Sequence, residues 1–240
     1  MSIKSRLVLS AGAIVMSSVF ASAAMAAPIY YSDWSTFNAA NPGLTVEDFE
    51  DWDATDTTGF APPVDSTSSI EGVVSPGEVA PGVTFALTDG TGAYFAAPGQ
   101  SSQPTNAIGV DLPRSAGWDI SFSIPVTAVA LEVFQNDGGG DQFGFDILAT
   151  VDIYGTSGLL DSVDITIPSG AAGFFGVFTG LDEITSVVVN NTDSYDVIDN
   201  VAFGIGSGEI TDVPEPATLS LFAFGLTGLA LARRRRKTRA

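Results

Sequence analysis

The stretch "WDISFSIPVTAVALEVFQ", residues 118–135, decides the fold class. In its first half Ile120, Phe122 and Ile124 point one way, and Asp119, Ser121 and Ser123 point the other. A period of two is that of a strand with one face buried. Beyond Pro125 the spacing places Val129, Leu131 and Val133 on one face. The halves therefore read as two strands, 118–124 and 126–135. Trp118 opens the first and is expected to pack rather than to face solvent.

The same signature extends outward in both directions. Strands are expected at 83–88, 106–112, 145–155, 159–167, 173–179, 184–191 and 195–205, separated by Gly, Pro, Asp and Ser clusters. Many short strands with frequent turns predict an all-β fold, an antiparallel β-sandwich of jelly-roll type. One short helix is expected at 32–41, where Ser32 could serve as N-cap. Residues 53–82, rich in Thr, Ser, Pro and Gly, read as a long loop region with one short strand near Val73–Val74. No internal repeat is visible, which argues against a solenoid.

Both ends of the chain differ from this body. The first 26 residues carry Lys4 and Arg6, an apolar run from Leu7 to Phe20, and small residues ending in Ala24-Met25-Ala26. That order reads as a secretory signal peptide cut after Ala26. At the far end Ala217–Ala232 is a mostly apolar run followed by Arg233, Arg234, Arg235 and Arg236. Sixteen helical residues span about 24 Å at the helical rise, short against a hydrocarbon core of roughly 30 Å. The arginines would stay cytoplasmic as a membrane stop. The expected organisation is signal peptide 1–26, sandwich 27–205, linker 206–213 and C-terminal signal 214–240, with its apolar helix at 217–232 and its basic tail at 233–240.

Charge and missing residue types exclude several functions. Between Ala27 and Asp212 a single basic residue, Arg114, stands against 27 carboxylates, a net charge of −26. Such a surface repels nucleic acid and anionic lipid and attracts cations. The chain has no Cys and no His. Disulfide frameworks, the usual zinc sites, cysteine catalysis and His-assisted serine triads are thereby excluded. A pair of carboxylates could still cleave a glycosidic bond.

The tail "VPEPATLSLFAFGLTGLALARRRRKTRA", residues 213–240, resembles the PEP-CTERM sorting signal. The resemblance implies that Pro214, Glu215 and Pro216 form the element read by an exosortase, a membrane transpeptidase-like processing enzyme. It further implies an inner-membrane precursor that is cut near this element and passed to the cell surface or the exopolysaccharide matrix. The motif also carries an ice-binding label. Thr55, Thr57 and Thr58 form one local patch without repetition, so the motif is read as an address and not as an activity.

"VEDFEDW" (46–52) and "YDVIDNVAFG" (195–204) resemble stretches near the first and last strands of galactose-binding-like and carbohydrate-binding jelly rolls. That resemblance implies a structural Ca²⁺ at Glu50 and Asp199, where hard oxygen ligands suit the ion. A mid-chain ligand found in such modules has no placed counterpart in this sequence. The acidic cluster "QNDGGGDQFGFD" (135–146), with Asn136, Asp137, Asp141 and Asp146, lacks EF-hand spacing and reads as a flexible hairpin loop.

A sugar platform needs an exposed ring beside polar groups. Among Trp34, Trp52, Trp118, Tyr94, Phe95 and Tyr154, the acidic surroundings of Trp52 make it the candidate platform. The sequence thus describes an exported, non-enzymatic β-sandwich of the surface or matrix. Its expected partners are the processing enzyme, the membrane through its C-terminal helix, and extracellular polysaccharide, with calcium as its cation. A purely structural matrix protein and a two-carboxylate glycan-active enzyme are the alternatives.

Overall fold

The structure, a computed structural model, describes residues 27–54, 57–90, 92–98, 104–110, 117–136, 146–181, 183–190 and 195–207. The expected signal peptide, the C-terminal signal, and most of the 135–146 cluster lie outside them. In chain order the first elements are β1 (Ile29–Tyr31), α1 (Trp34–Ala40), β2 (Thr45–Glu47), β3 (Thr58–Phe60) and β4 (Val64–Asp65). Next come β5 (Val83–Leu87), β6 (Ala93–Ala96), β7 (Ala107–Val110), β8 (Trp118–Val126) and β9 (Ala128–Asn136). The last are β10 (Ile147–Gly155), β11 (Gly158–Ile167), β12 (Gly173–Phe178), β13 (Ile184–Asn190) and β14 (Tyr195–Gly204).

These strands form two antiparallel sheets. One runs β1-β12-β9-β14-β7-β6-β3 with β2 added against β14, and the other runs β11-β10-β13-β8-β5-β4. The main core unites residues of both sheets: Val129, Leu131 and Val133 from the first meet Ile120, Val151 and Val187 from the second. The chain is an antiparallel β-sandwich. The described residues make one compact unit.

The alternation of 118–135 places most side chains as expected. Trp118, Ile120, Val129, Leu131 and Val133 are buried. Ile124 is the exception and stands 65 % exposed. The β8–β13 register pairs Ser186 with Ser121 but Ile184 with Val126, so β8 carries extra residues between these pairs. The bulge around Pro125 breaks the period of two and turns Ile124 outward.

Three further corrections are local. Asp33, not Ser32, caps α1, its carboxylate accepting from Thr36 N at 2.8 Å. A carboxylate holds that N–H more strongly than a hydroxyl does. Near Val73–Val74 there is only an isolated bridge between Ile70 and Val74. The presumed loop region also holds β3 and β4.

Helix α1 lies on the outer face of the first sheet, where Phe37 packs with Ala128, Ala130, Phe178 and Ala202. Alanines on β9 and β14 leave room for the helix. No described helix is long and apolar enough to cross a membrane; the 217–232 run lies outside the described residues.

Candidate functional site

The site begins with a gap along one edge of β14. Its residues 201–203 pair with β2, and residues 197–198 pair with β7. Asp199 and Asn200 fall between these two partners. On the opposite edge β9 pairs Asp199 with Glu132, and the register then shifts before Ala202. Asn200 takes up the shift with a φ of 50°, a left-handed conformation that Asn tolerates better than most residues. Its amide then donates to Glu132 Oε2 at 2.7 Å.

The gap gathers polar groups from four segments. Asp199 is fully buried and accepts hydrogen bonds from Thr105 Oγ1 and from Asn200 N. Glu50, on the loop after β2, accepts from Asn106 N at 2.8 Å and from Asn106 Nδ2 at 3.2 Å. Burial pushes the Asp199 carboxyl up to about 7, and the negative charges of Glu132 and Glu50 add to the rise. The hydrogen bonds from Thr105 and Asn200 pull in the opposite direction. No Lys, Arg or His occurs among the described residues. Burial of a carboxylate beside like charges, with no basic side chain described to neutralise it, favours a proton or a metal cation.

Glu50 and Asp199, the two residues singled out for calcium, therefore meet in one electrostatic cluster. Sequence reasoning missed Glu132, Thr105, Asn106 and Asn200. Glu132 had one visible signal, a lone carboxylate among Ala128, Ala130 and Phe134 on the outward side of β9. Among the described residues, no group of three or more His, Cys, Asp or Glu side chains could hold a metal ion. Calcium here would rest on Glu50 and Asp199 with neutral oxygens completing its shell, and the all-oxygen donor set fits such a hard cation.

Trp52 is not a platform. It is 5 % exposed and belongs to the main core. Its ring stacks on Phe95 at 6.0 Å and meets Phe49 and Phe60 edge-on at 5.4 and 5.9 Å. The cause is Glu47, a buried carboxylate whose oxygens accept from Phe49 N at 2.8 Å and Ala80 N at 2.6 Å. These bonds fold the acidic loop back, so Phe49 and Trp52 turn inward while Glu50 faces out. Tyr94 and Phe95 are buried as well.

The outer face of the second sheet is polar instead. Asp119 and Ser121 on β8, Ser186 and Asn190 on β13, and Thr150 and Asp152 on β10 are all partly exposed. Asn190 Nδ2 and Ser162 Oγ both donate to Asp152, at 3.1 and 2.6 Å. Tyr154 shares this face and is also partly exposed.

Comparison with known proteins adds the C-terminal segment. Residues 212–237 match the PEP-CTERM protein-sorting motif. The chain carries a PEP-CTERM sorting signal. The motif implies export, exosortase processing, and surface or membrane association. No curated protein matches the chain.

Among solved structures, a family 29 carbohydrate-binding module aligns at 9% identity with a TM-score of 0.34, covering 67% of this chain and 98% of its own. A family 11 carbohydrate-binding module from Clostridium thermocellum, in complex with a β-1,3-1,4-mixed-linked tetrasaccharide, aligns at 12% identity and a TM-score of 0.29. That alignment covers 65% of this chain and 99% of the module. The CBM51-2 structure from Clostridium perfringens ZmpB, in complex with GlcNAc, aligns at 14% identity and a TM-score of 0.31, covering 67% and 32%. All three are β-sandwich neighbours.

Proposed function

We propose that this PEP-CTERM protein is a surface or exopolysaccharide-matrix protein whose sandwich is a non-catalytic, calcium-holding glycan-binding module. The observation that carries the reading is the buried Asp199 beside Glu132 and Glu50, with no basic side chain among the described residues. A cation there would tie the loop after β2 to β14 and fix the approach to β7. Calcium would supply charge neutralisation at Glu50 and Asp199 and nothing chemical beyond that.

The glycan would lie on the outer face of the second sheet. Asp119, Asp152, Asn190 and Ser186 offer hydrogen bonds to sugar hydroxyls, and Tyr154 offers the apolar edge of a ring. Binding at such an open face is weak per site and gains from many copies on one surface. A carboxyl raised to about 7 near two other carboxylates is also what a glycosidase acid needs. Asp199 is closed off from solvent, however, and a general acid must reach the glycosidic oxygen.

A glycan array probed with the tail-free body, residues 27–212, tests the binding reading. Neutral polysaccharides are expected to retain it, and anionic ones only when calcium bridges them. Retention by neither, or release of shortened sugars, would overturn the proposal. Mass spectrometry of the exported protein tests the route. The mature species is expected to lack the residues beyond about Pro216, and Arg233–Arg236 persisting on most exported chains would contradict this.

A further inference from the structure

The register of the two sheets places the exposed apolar side chains at one end of the sandwich. That end is marked by the pairs Ile184–Val126, Gly155–Gly158 and Gly204–Ala128. Ile124 precedes the β8–β9 turn, Leu159 follows the β10–β11 turn, Leu181 lies in the β12–β13 connection, and Ile205 follows β14. All four are exposed, Ile124 at 65% and Ile205 at 58%. Tyr30 and Val46 lie in the same half, and Leu148 is the only large apolar side chain exposed at the opposite end among the described residues.

These tips are held together. Thr127 N donates to Gly204 O at 3.0 Å, Thr179 N to Thr127 O at 2.9 Å, and Gly206 N to Thr127 Oγ1 at 2.7 Å. Between Ile124, Phe203 and Ile205 runs a groove of about 430 Å³, and none of its lining residues is charged. In a body with 27 carboxylates, an uncharged groove flanked by exposed apolar tips marks an interaction surface. In the β12–β13 connection Asp182 and Glu183 follow Leu181 directly.

We infer that this end is a membrane-facing foot, which touches the bilayer interface while the C-terminal signal is still attached. The inference rests on reading 217–232 as a membrane-spanning segment. From Ile205 to Ala217 is 12 residues, at most about 40 Å fully extended and about 20 Å as a flexible coil. The tether leaves the sandwich from this end, beyond β14 and Ile205. A short tether supplies an effective concentration of about millimolar, sufficient for weak insertion of single side chains. One apolar residue per turn tip suits shallow entry into lipid. Cutting near Pro214–Pro216 removes the tether and frees the foot, so attachment is reversible by processing.

The chain's lack of cysteine permits a direct test. Full-length precursors carrying Ile124→Cys, Ile205→Cys, Leu148→Cys or Thr227→Cys are labelled with NBD. They are reconstituted in phosphatidylethanolamine–phosphatidylcholine vesicles with nitroxide lipids. Labels at 124 and 205 are expected to shift to the blue and to be quenched at least threefold more than the label at 148. Quenching at 227 alone would overturn the foot and leave the spanning segment standing. No quenching at any position would overturn both. A blue shift at 124 and 205 without nitroxide quenching, seen only with the processing enzyme present, would assign the surface to protein and reject the foot.

Discussion

Replacing Asp199 with Asn is expected to stabilise the calcium-free body at pH 8 and to abolish its response to calcium. The folded-state carboxyl sits near 7, against an ordinary value of 3.8. Between those values the unfolded chain has lost its proton while the folded one keeps it. Stability present below about pH 4 is therefore lost as pH rises through 7. A shift of that size corresponds to a loss on the order of 4 kcal/mol. Asn cannot ionise; its Oδ1 can keep the bond from Asn200 N, and its Nδ2 can donate to Thr105 Oγ1 with the hydroxyl turned round. The difference between wild type and D199N isolates this group from the repulsion among the other carboxylates.

Calcium reverses the sign, because a cation favours the charged carboxylate. At 100 times its dissociation constant a ligand stabilises by about 2.7 kcal/mol. Urea unfolding at pH 4, 6 and 8, with and without millimolar Ca²⁺, reads both effects. Relative to D199N, the wild-type midpoint should fall with pH in the absence of calcium and recover with it. A variant with the wild-type calcium response would show that the ion only screens the acidic surface.

Trp52→Ala is expected to cost about 3–5 kcal/mol, the usual effect of removing a buried aromatic ring. The ring fills the space among Phe49, Phe60 and Phe95, and the neighbouring Glu47 hydrogen bonds hold the loop that carries it. Trp52→Phe should recover much of the loss. Tyr154→Ala, on the outer face, should change stability by less than about 1 kcal/mol and weaken glycan binding. Thermal unfolding and binding measured on the same samples separate these cases. A Trp52→Ala protein with native stability would show that the ring is not in the core.

The long alternating strands were legible because one face is buried and the other wet, as at Val129, Leu131 and Val133. Strands β1, β2, β3 and β6 were not, being three or four residues each. All four β6 residues are buried, so "AYFA" shows no alternation. Ile124 escaped because a period of two carries no information about a bulge. Glu50 and Asp199 were singled out through a resemblance of their sequence stretches to carbohydrate-binding jelly rolls. Glu132 needed the register of β9 against β14, which no single sequence displays. Trp52 was misplaced because carboxylates around an aromatic suggest solvent, whereas here Glu47 points inward.

Co-sedimentation of the body, residues 27–212, with exopolysaccharide from the cells that export it is the sharpest test of glycan binding. Calcium-loaded protein is expected to pellet with the glycan, and EDTA to reduce the pelleted fraction. Tyr154→Ala should reduce it further, with the fold intact. Protein that stays in the supernatant under both conditions would contradict the binding-module reading and leave a purely structural matrix protein.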